Sequence, residues 1–270
     1  WSNASLSLMG SDKVAMLICR AHSCMKTRLL LACCLLPAMV VAAPPLVAVD
    51  VGHGEKDSGA ISARGRSEFA FNRDFAGVLA TTLRQRELGV KEVNFDGRIA
   101  SLYDRPQAAN GSDFFISIHH DSIGEAWLLP WEWEGQAQTY TEVKRGYGIF
   151  VSAQNPDLAT SLRCASTIGA MMRRAGFAPS TWHARKHQPA NAENGVWYYD
   201  NLVVLYRTKL PAVLFEAGVI KHRDEELELR DAERQARMAD AVATGIAACL
   251  FVRQEQAPTQ QVPAVSTSGN

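Results

Sequence analysis

Four residues scattered along the chain, His53, Glu68, His119 and Glu216, could together hydrolyse an amide. His53 stands between two glycines, directly after the apolar run of LVAVDVGHG, and His119 closes the run FFISIH. Glu216 interrupts an otherwise apolar stretch, LPAVLFEAGVI. A carboxylate inside a buried strand costs several kcal/mol unless something pairs with it. Taken singly, each residue has an ordinary reading. A histidine can pack in a core, and a glutamate such as Glu68 in a first helical turn complements the helix dipole. Taken together they match a known chemistry. Two histidines and a carboxylate with an open fourth position form a catalytic zinc site, where the pKa of bound water falls to about 7. A second carboxylate outside that set must then take the water proton and pass it to the leaving nitrogen. His53, Glu68 and His119 suit the ligand role, and Glu216 suits the base.

The elements that would position these residues follow from hydrophobic spacing. Leu46 to Val51 reads as a buried strand. Phe71, Phe75, Val78, Leu79 and Leu83 recur at helical spacing, which predicts a helix over Ser67 to Glu87 with Ser67 as its N-cap. VKEVNF and DFFISIHHD read as strands, and a short helix through SLYDRPQAAN is interrupted near Pro106. YGIFVSA is a further strand, and Asn155-Pro156 opens a helix with proline at its first position. NLVVLY and AVLFEAGVI are read as two more strands, and a last helix runs from about Asp224 to Phe251. This alternation predicts a single α/β domain over 43–252, a mostly parallel twisted sheet with helices on both faces. In such sheets chemistry sits beyond the carboxyl ends of the strands, where His53, His119 and Glu216 fall. Two stretches break the alternation, Ser122 to Gly146 and Ser180 to Asp200, and their length marks them as candidate functional loops.

Composition narrows the classes. The 270 residues hold 28 Lys+Arg and 28 Asp+Glu, a formal net charge of zero, with 47% hydrophobic and 21% charged residues. Nothing basic enough for nucleic acid is present. Residues 25–42, MKTRLLLACCLLPAMVVA, carry a positive start, an apolar run and small residues for cleavage, the pattern of a secretory signal peptide. The apolar part is shorter than the roughly 20 residues of a membrane span, so no stable span is expected after cleavage. The expected location is the periplasm or the extracellular space. Residues 1–24 are expected to be tag or upstream translated sequence, and 253–270 a disordered tail. Cys164 and Cys249 fall on predicted helix faces among apolar residues and are read as buried free thiols, a disulfide remaining open.

The chain resembles the zinc-dependent N-acetylmuramoyl-L-alanine amidases of the amidase 3 type. The resemblance rests on VAVDVGHG, on Glu68 in SEFAFN, on RPQAANGSDFFISIHHD and on LPAVLFEAGVI, in that order, from about Leu46 to Leu250. It implies Zn²⁺ held by His53, Glu68 and His119, with Glu216 as the catalytic glutamate. It also implies a peptidoglycan or muropeptide substrate, cut between N-acetylmuramic acid and the L-alanine of the stem peptide; a protein activator stays unassigned. The alternatives are a zinc peptidase or deacylase acting on another amide, and a non-catalytic wall-binding protein. His120 stands where the family usually has a small residue, and strand alternation turns it away from His119 toward packing or support of the site. In the segment 122–146, Trp127, Trp131 and Trp133 either fold back onto the domain as a satellite core or overhang the cleft and contact substrate, with Glu125, Glu132 and Glu134 rimming the opening; Gly124, Pro130 and Gly135 argue against a helical lid.

Overall fold

The computed structural model describes residues 43–256. The predicted tag and signal segments and the end of the predicted tail, from 257, lie outside the described residues. Strand β1 (Leu46–Val51) is followed by helix α1 (Glu68–Gln85), β2 (Gly89–Val93), α2 (Asp104–Ala108) and β3 (Phe114–Asp121). A hairpin of β4 (Leu129–Trp133) and β5 (Gln136–Tyr140) leads to β6 (Gly148–Val151) and α3 (Leu158–Arg174). Short strands β7 (Pro189–Asn191) and β8 (Val196–Tyr198), helix α4 (Val203–Arg207), β9 (Ala212–Val219), α5 (Glu225–Arg230) and α6 (Ala232–Gln256) complete the order.

Seven strands form one sheet in the order β2-β1-β3-β9-β6-β8-β7. The ladders β1–β2, β1–β3, β3–β9 and β6–β8 are parallel, and β6–β9 and β7–β8 antiparallel. The central strands are apolar on both sides because both sides are covered. Val47, Val49, Ile116, Ile118, Val213 and Phe215 face α1, α3 and α6. Ala48, Phe115, Leu214 and Ala212 face the smaller layer that contains Val204 and Leu205. The mostly parallel α/β domain with helices on both faces is therefore what the chain forms.

The structure corrects several expectations. NLVVLY is not a strand; it becomes α4, whose Val204 and Leu205 are buried against the sheet. A short apolar run carries no period long enough to separate strand from helix. Burying each of those side chains contributes about 1.5–3 kcal/mol in either form. Helix α3 starts at Leu158, not at Pro156, because the Asp157 side chain accepts from Thr160 N and caps it there. Pro106 interrupts nothing: it lies in the first turn of α2, where a missing N–H leaves no bond unmade. Cys164 and Cys249 are not free thiols but a disulfide, Cα–Cα 5.1 Å, pinning α3 to α6 across 85 residues. A loop of that size corresponds to about 4.5 kcal/mol in the chain-entropy account. Asp231 divides the last helical stretch into α5 and α6, and α6 continues past Phe251 to Gln256.

Candidate metal centre and its cleft

His53, Glu68 and His119 meet at the carboxyl end of β1 and β3. The three donor atoms lie within 4.8 Å of one another. Glu68 Oε1 is 3.1 Å from His53 Nε2 and 3.0 Å from His119 Nδ1. Three local choices bring them there. His53 has left β1 and adopts φ +63°, a left-handed backbone that costs a non-glycine residue something and is held from outside. Asn94 Nδ2 donates to His53 O at 2.6 Å and to Val51 O at 2.7 Å. The buried Arg105 guanidinium also donates to His53 O and lies 3.8 Å from Asp50 Oδ2. Glu68 is the first residue of α1, placed by the Ser67 cap, whose side chain accepts from Ala70 N. His119 needs space beside β1, and Gly52 supplies it: a first side-chain carbon there would sit 2.3 Å from His119 Nε2.

Glu68 is only 5% exposed, yet its charge is compensated. Ala60 N donates to Oε2 at 3.1 Å and Asn72 Nδ2 to Oε1 at 3.3 Å. Burial alone would raise its pKa, but the hydrogen bonds and charges of His119 and His53 outweigh it and hold the carboxyl far below the usual range. His53 shows the reciprocal effect: burial lowers it, the bond to Glu68 and that carboxylate's charge overcome this, and its pKa is raised.

Glu216 lies on β9 in register with His119 on β3, so the two side chains share one face of the sheet. The β3–β9 ladder is irregular between His119 and Asp121, a local break of the kind that re-aims side chains beside sites. Glu216 Oε2 is buried and makes no hydrogen bond among the described residues. Burial, then the charges of Asp121 and Glu68, push its pKa well above the ordinary carboxylate value, with Lys144 opposing. Two hollows meet at this residue. One, of about 540 Å³, is lined by His53, His119, Glu216 and by Ile99, Leu102 and Leu202. The other, of about 300 Å³, lies beyond Glu216 and is lined by Asp121, Lys144, His183 and Tyr199 among others.

All four candidate residues are thus brought together. His120 is buried on the opposite face, between the rings of Phe71 and Phe75, its Nδ1 2.8 Å from Asn72 Oδ1. Burial pushes its pKa down to about 3. Since Asn72 also holds Glu68, His120 supports the cluster from behind. The tryptophans of 122–146 do not line either hollow. The segment is the β4–β5 hairpin folded back on the domain. Trp131 stacks on Trp133, donates from Nε1 to Ala63 O at 2.9 Å, and both rings carry Arg64 at 5.2 and 4.7 Å. Trp127 instead meets Trp182 edge-on at 5.0 Å. Glu125, Glu132 and Glu134 are likewise absent from the lining of both hollows. Sequence reasoning missed Asn72, Asn94, Arg105, Lys144 and His183. The signals for the last two were the long stretches Ser122–Gly146 and Ser180–Asp200, which do contribute walls.

The sequence profile described as N-acetylmuramoyl-L-alanine amidase matches residues 47–248. A probable N-acetylmuramoyl-L-alanine amidase, AmiB of Haemophilus influenzae, is 25% identical over 77% of this chain, which spans 53% of that relative's length. The catalytic domain of CwlV, an N-acetylmuramoyl-L-alanine amidase from Bacillus (Paenibacillus) polymyxa var. colistinus, superposes with TM-score 0.59 at 27% identity, covering 77% of this chain and 99% of that one. The amidase Ami1 from Mycobacterium smegmatis shares the fold at TM-score 0.63 and 19% identity, over 78% and 98% of the two chains. This α/β domain, with its His–Glu–His cluster at the sheet edge, is of the amidase class. The chain belongs to the N-acetylmuramoyl-L-alanine amidase family.

Proposed function

We propose that this protein is an exported zinc amidase that cleaves the bond between N-acetylmuramic acid and the L-alanine of the peptidoglycan stem peptide. The observation that supports it most is one juxtaposition: a His53–Glu68–His119 donor set, with Glu216 beside it in register on the next strand, in a chain of this family. The donor set suits zinc, being two imidazoles and one carboxylate with an open side facing the cleft. When bound, zinc supplies Lewis acidity toward a carbonyl oxygen and acidifies water.

The chain's own residues do the rest. Glu68 stays ionised, Asn72 and Ala60 N fix its oxygens, and Asn94 and Arg105 fix the His53 backbone, so the donors are positioned before substrate arrives. Glu216, unprotonated, takes a proton from the attacking water as the carbon–oxygen bond forms. It returns that proton to the nitrogen as the carbon–nitrogen bond breaks, leaving a muramoyl carboxylate and a peptide with a free amino terminus. A carboxyl with a raised pKa is suited to both halves of that transfer, since it holds the proton long enough to deliver it.

Export fits two features: the leader-like pattern of 25–42 and the Cys164–Cys249 disulfide, a bond that persists in oxidising compartments. Among the described residues no helix is long and apolar enough to cross a membrane. The test is purified protein on intact peptidoglycan, with and without a chelator, and products identified by mass. The reading expects new N-terminal alanine and intact glycan strands, abolished by chelation and restored by zinc. Cleavage within the peptide, or activity indifferent to chelator, contradicts it.

A further inference from the structure

We propose that the arm beyond Glu216 seats the leaving peptide, and that His183 and Lys186 are the residues that recognise it. The inference rests on the amidase reading and adds the direction in which substrate lies.

A group that delivers a proton to the leaving nitrogen must stand at that nitrogen. The two halves of the substrate therefore part at Glu216. The acyl half reaches toward His53 and His119, over the hollow that also presents Ile99, Leu102 and Leu202. The amine half continues on the far side, and the hollow there begins at Glu216 itself. The two sides differ in chemistry as the two halves do. A stem peptide offers amide N–H and C=O groups and free carboxylates. The arm offers Lys144, His183, Lys186, His187 and Tyr199.

His183 is built into place. It lies on a short helical turn, Thr181–Arg185, is 5% exposed, and packs edge-on against Phe150 at 4.9 Å. Its ring lies over Gly148, where a first side-chain carbon would be 2.6 Å from Nε2, and Gly148 is the register partner of Glu216 on β6. The space a side chain would fill beside the proposed base is thus given to an imidazole, as Gly52 gives its space to His119. The buried Nε2 makes no hydrogen bond among the described residues and stands 3.4 Å from Asp121 Oδ2. With only the Asp121 carboxylate near it and no hydrogen bond of its own, the imidazole of a residue that lines the hollow has capacity left for a ligand's polar group. Lys144 is committed elsewhere, to Asp121 Oδ2 at 2.5 Å and Ser122 O at 2.7 Å. Lys186 is exposed at the mouth, placed to meet a carboxylate further along the peptide.

The experiment compares wild type, Lys186→Glu, His183→Phe and His183→Gln on two small substrates. These are N-acetylmuramoyl-L-alanyl-D-glutamate and the same molecule with both glutamate carboxylates amidated. Binding of the released dipeptide and of N-acetylmuramic acid is measured separately by calorimetry, with zinc content and melting temperature recorded for every variant. Lys186→Glu is a surface change and should fold. It is expected to raise KM about tenfold for the carboxylate substrate, the effect of one charge-assisted contact, with little change for the amide and none in kcat. His183→Phe should weaken dipeptide binding while leaving N-acetylmuramic acid binding and zinc unchanged, and His183→Gln should recover part of the loss. Unchanged KM for both substrates in Lys186→Glu, with dipeptide binding intact in His183→Phe, overturns the assignment. Loss of N-acetylmuramic acid binding in place of dipeptide binding overturns it too, by putting the sugar in the arm. If wild type cleaves neither substrate, it is the amidase reading that fails, a result distinct from either of these.

Discussion

Glu68 and Glu216 are two carboxylates at the same sheet edge in opposite surroundings. Glu68 is wrapped by donors: two imidazoles, the Ala60 N–H and the Asn72 amide all point at its oxygens. Glu216 sits among apolar strand residues with one oxygen unbonded among the described residues, and its nearest charged neighbours include Asp121 and Glu68. The first surroundings favour a charge that never leaves; the second favour a proton that comes and goes. Environments that drive two titratable groups apart mark the division of labour between them. Under the proposed function they separate a residue suited to hold a cation from one suited to move a proton, before any ligand is considered.

The change expected to do most damage removes a donor outright. His53→Ala should lose metal and activity together, with turnover at background, checked by elemental analysis of the purified variant beside its rate. Full metal occupancy in that variant would break the comparison at its Glu68 end. Glu216→Gln comes next. The amide keeps shape and burial but cannot accept the proton, so kcat should fall on the order of 10² to 10⁴-fold. A rate within a few-fold of wild type would move the base role away from Glu216.

Asn72→Ala tests whether the wrapping of Glu68 matters beyond the donors themselves. It removes the amide that joins Glu68 Oε1, Gly52 O and His120 Nδ1. Loss of such supporting bonds typically costs about 10 to 100-fold in metal affinity or activity. Titration with zinc in a competing chelator reads the difference, and an unchanged affinity would reduce Asn72 to packing.

The smallest expected effect concerns stability on the Glu216 side. Burial pushes His183 down to about 3 in the folded protein, against an unfolded value near 6.5. Below about pH 6.5 the unfolded chain binds a proton the folded one refuses. Stability is therefore full above that pH and falls by up to about 1.4 kcal/mol per pH unit as the pH drops toward 3. Chemical denaturation at pH 7 and pH 5 should show that slope in wild type and a shallower one in His183→Phe. Equal slopes would mean that His183 is protonated in the folded state.

Why were some of these residues legible in the sequence and others not? His53, His119 and Glu216 stand where apolar runs end or are interrupted, so strand geometry alone delivers them to one edge. Glu68 reads equally well as a helix-dipole residue, and it took the other three to make it a donor. His120 was readable as facing the other way because strand alternation is strict. Lys144 and His183 come from the two irregular stretches, where no period tells which side chain turns inward. NLVVLY failed for a related reason, being too short to show a period at all. The pairing of Cys164 with Cys249 depends on how α3 and α6 cross, which no spacing along the chain reveals.

The distinction between the two carboxylates is tested most directly by measuring zinc in Glu68→Gln and Glu216→Gln side by side, each purified without metal and then titrated. The account predicts that Glu216→Gln binds one zinc per chain with near wild-type affinity while failing to turn over, and that Glu68→Gln loses high-affinity binding. Equal loss of zinc in both variants would make Glu216 a ligand and contradict the division of roles; retention in both would remove Glu68 from the metal site.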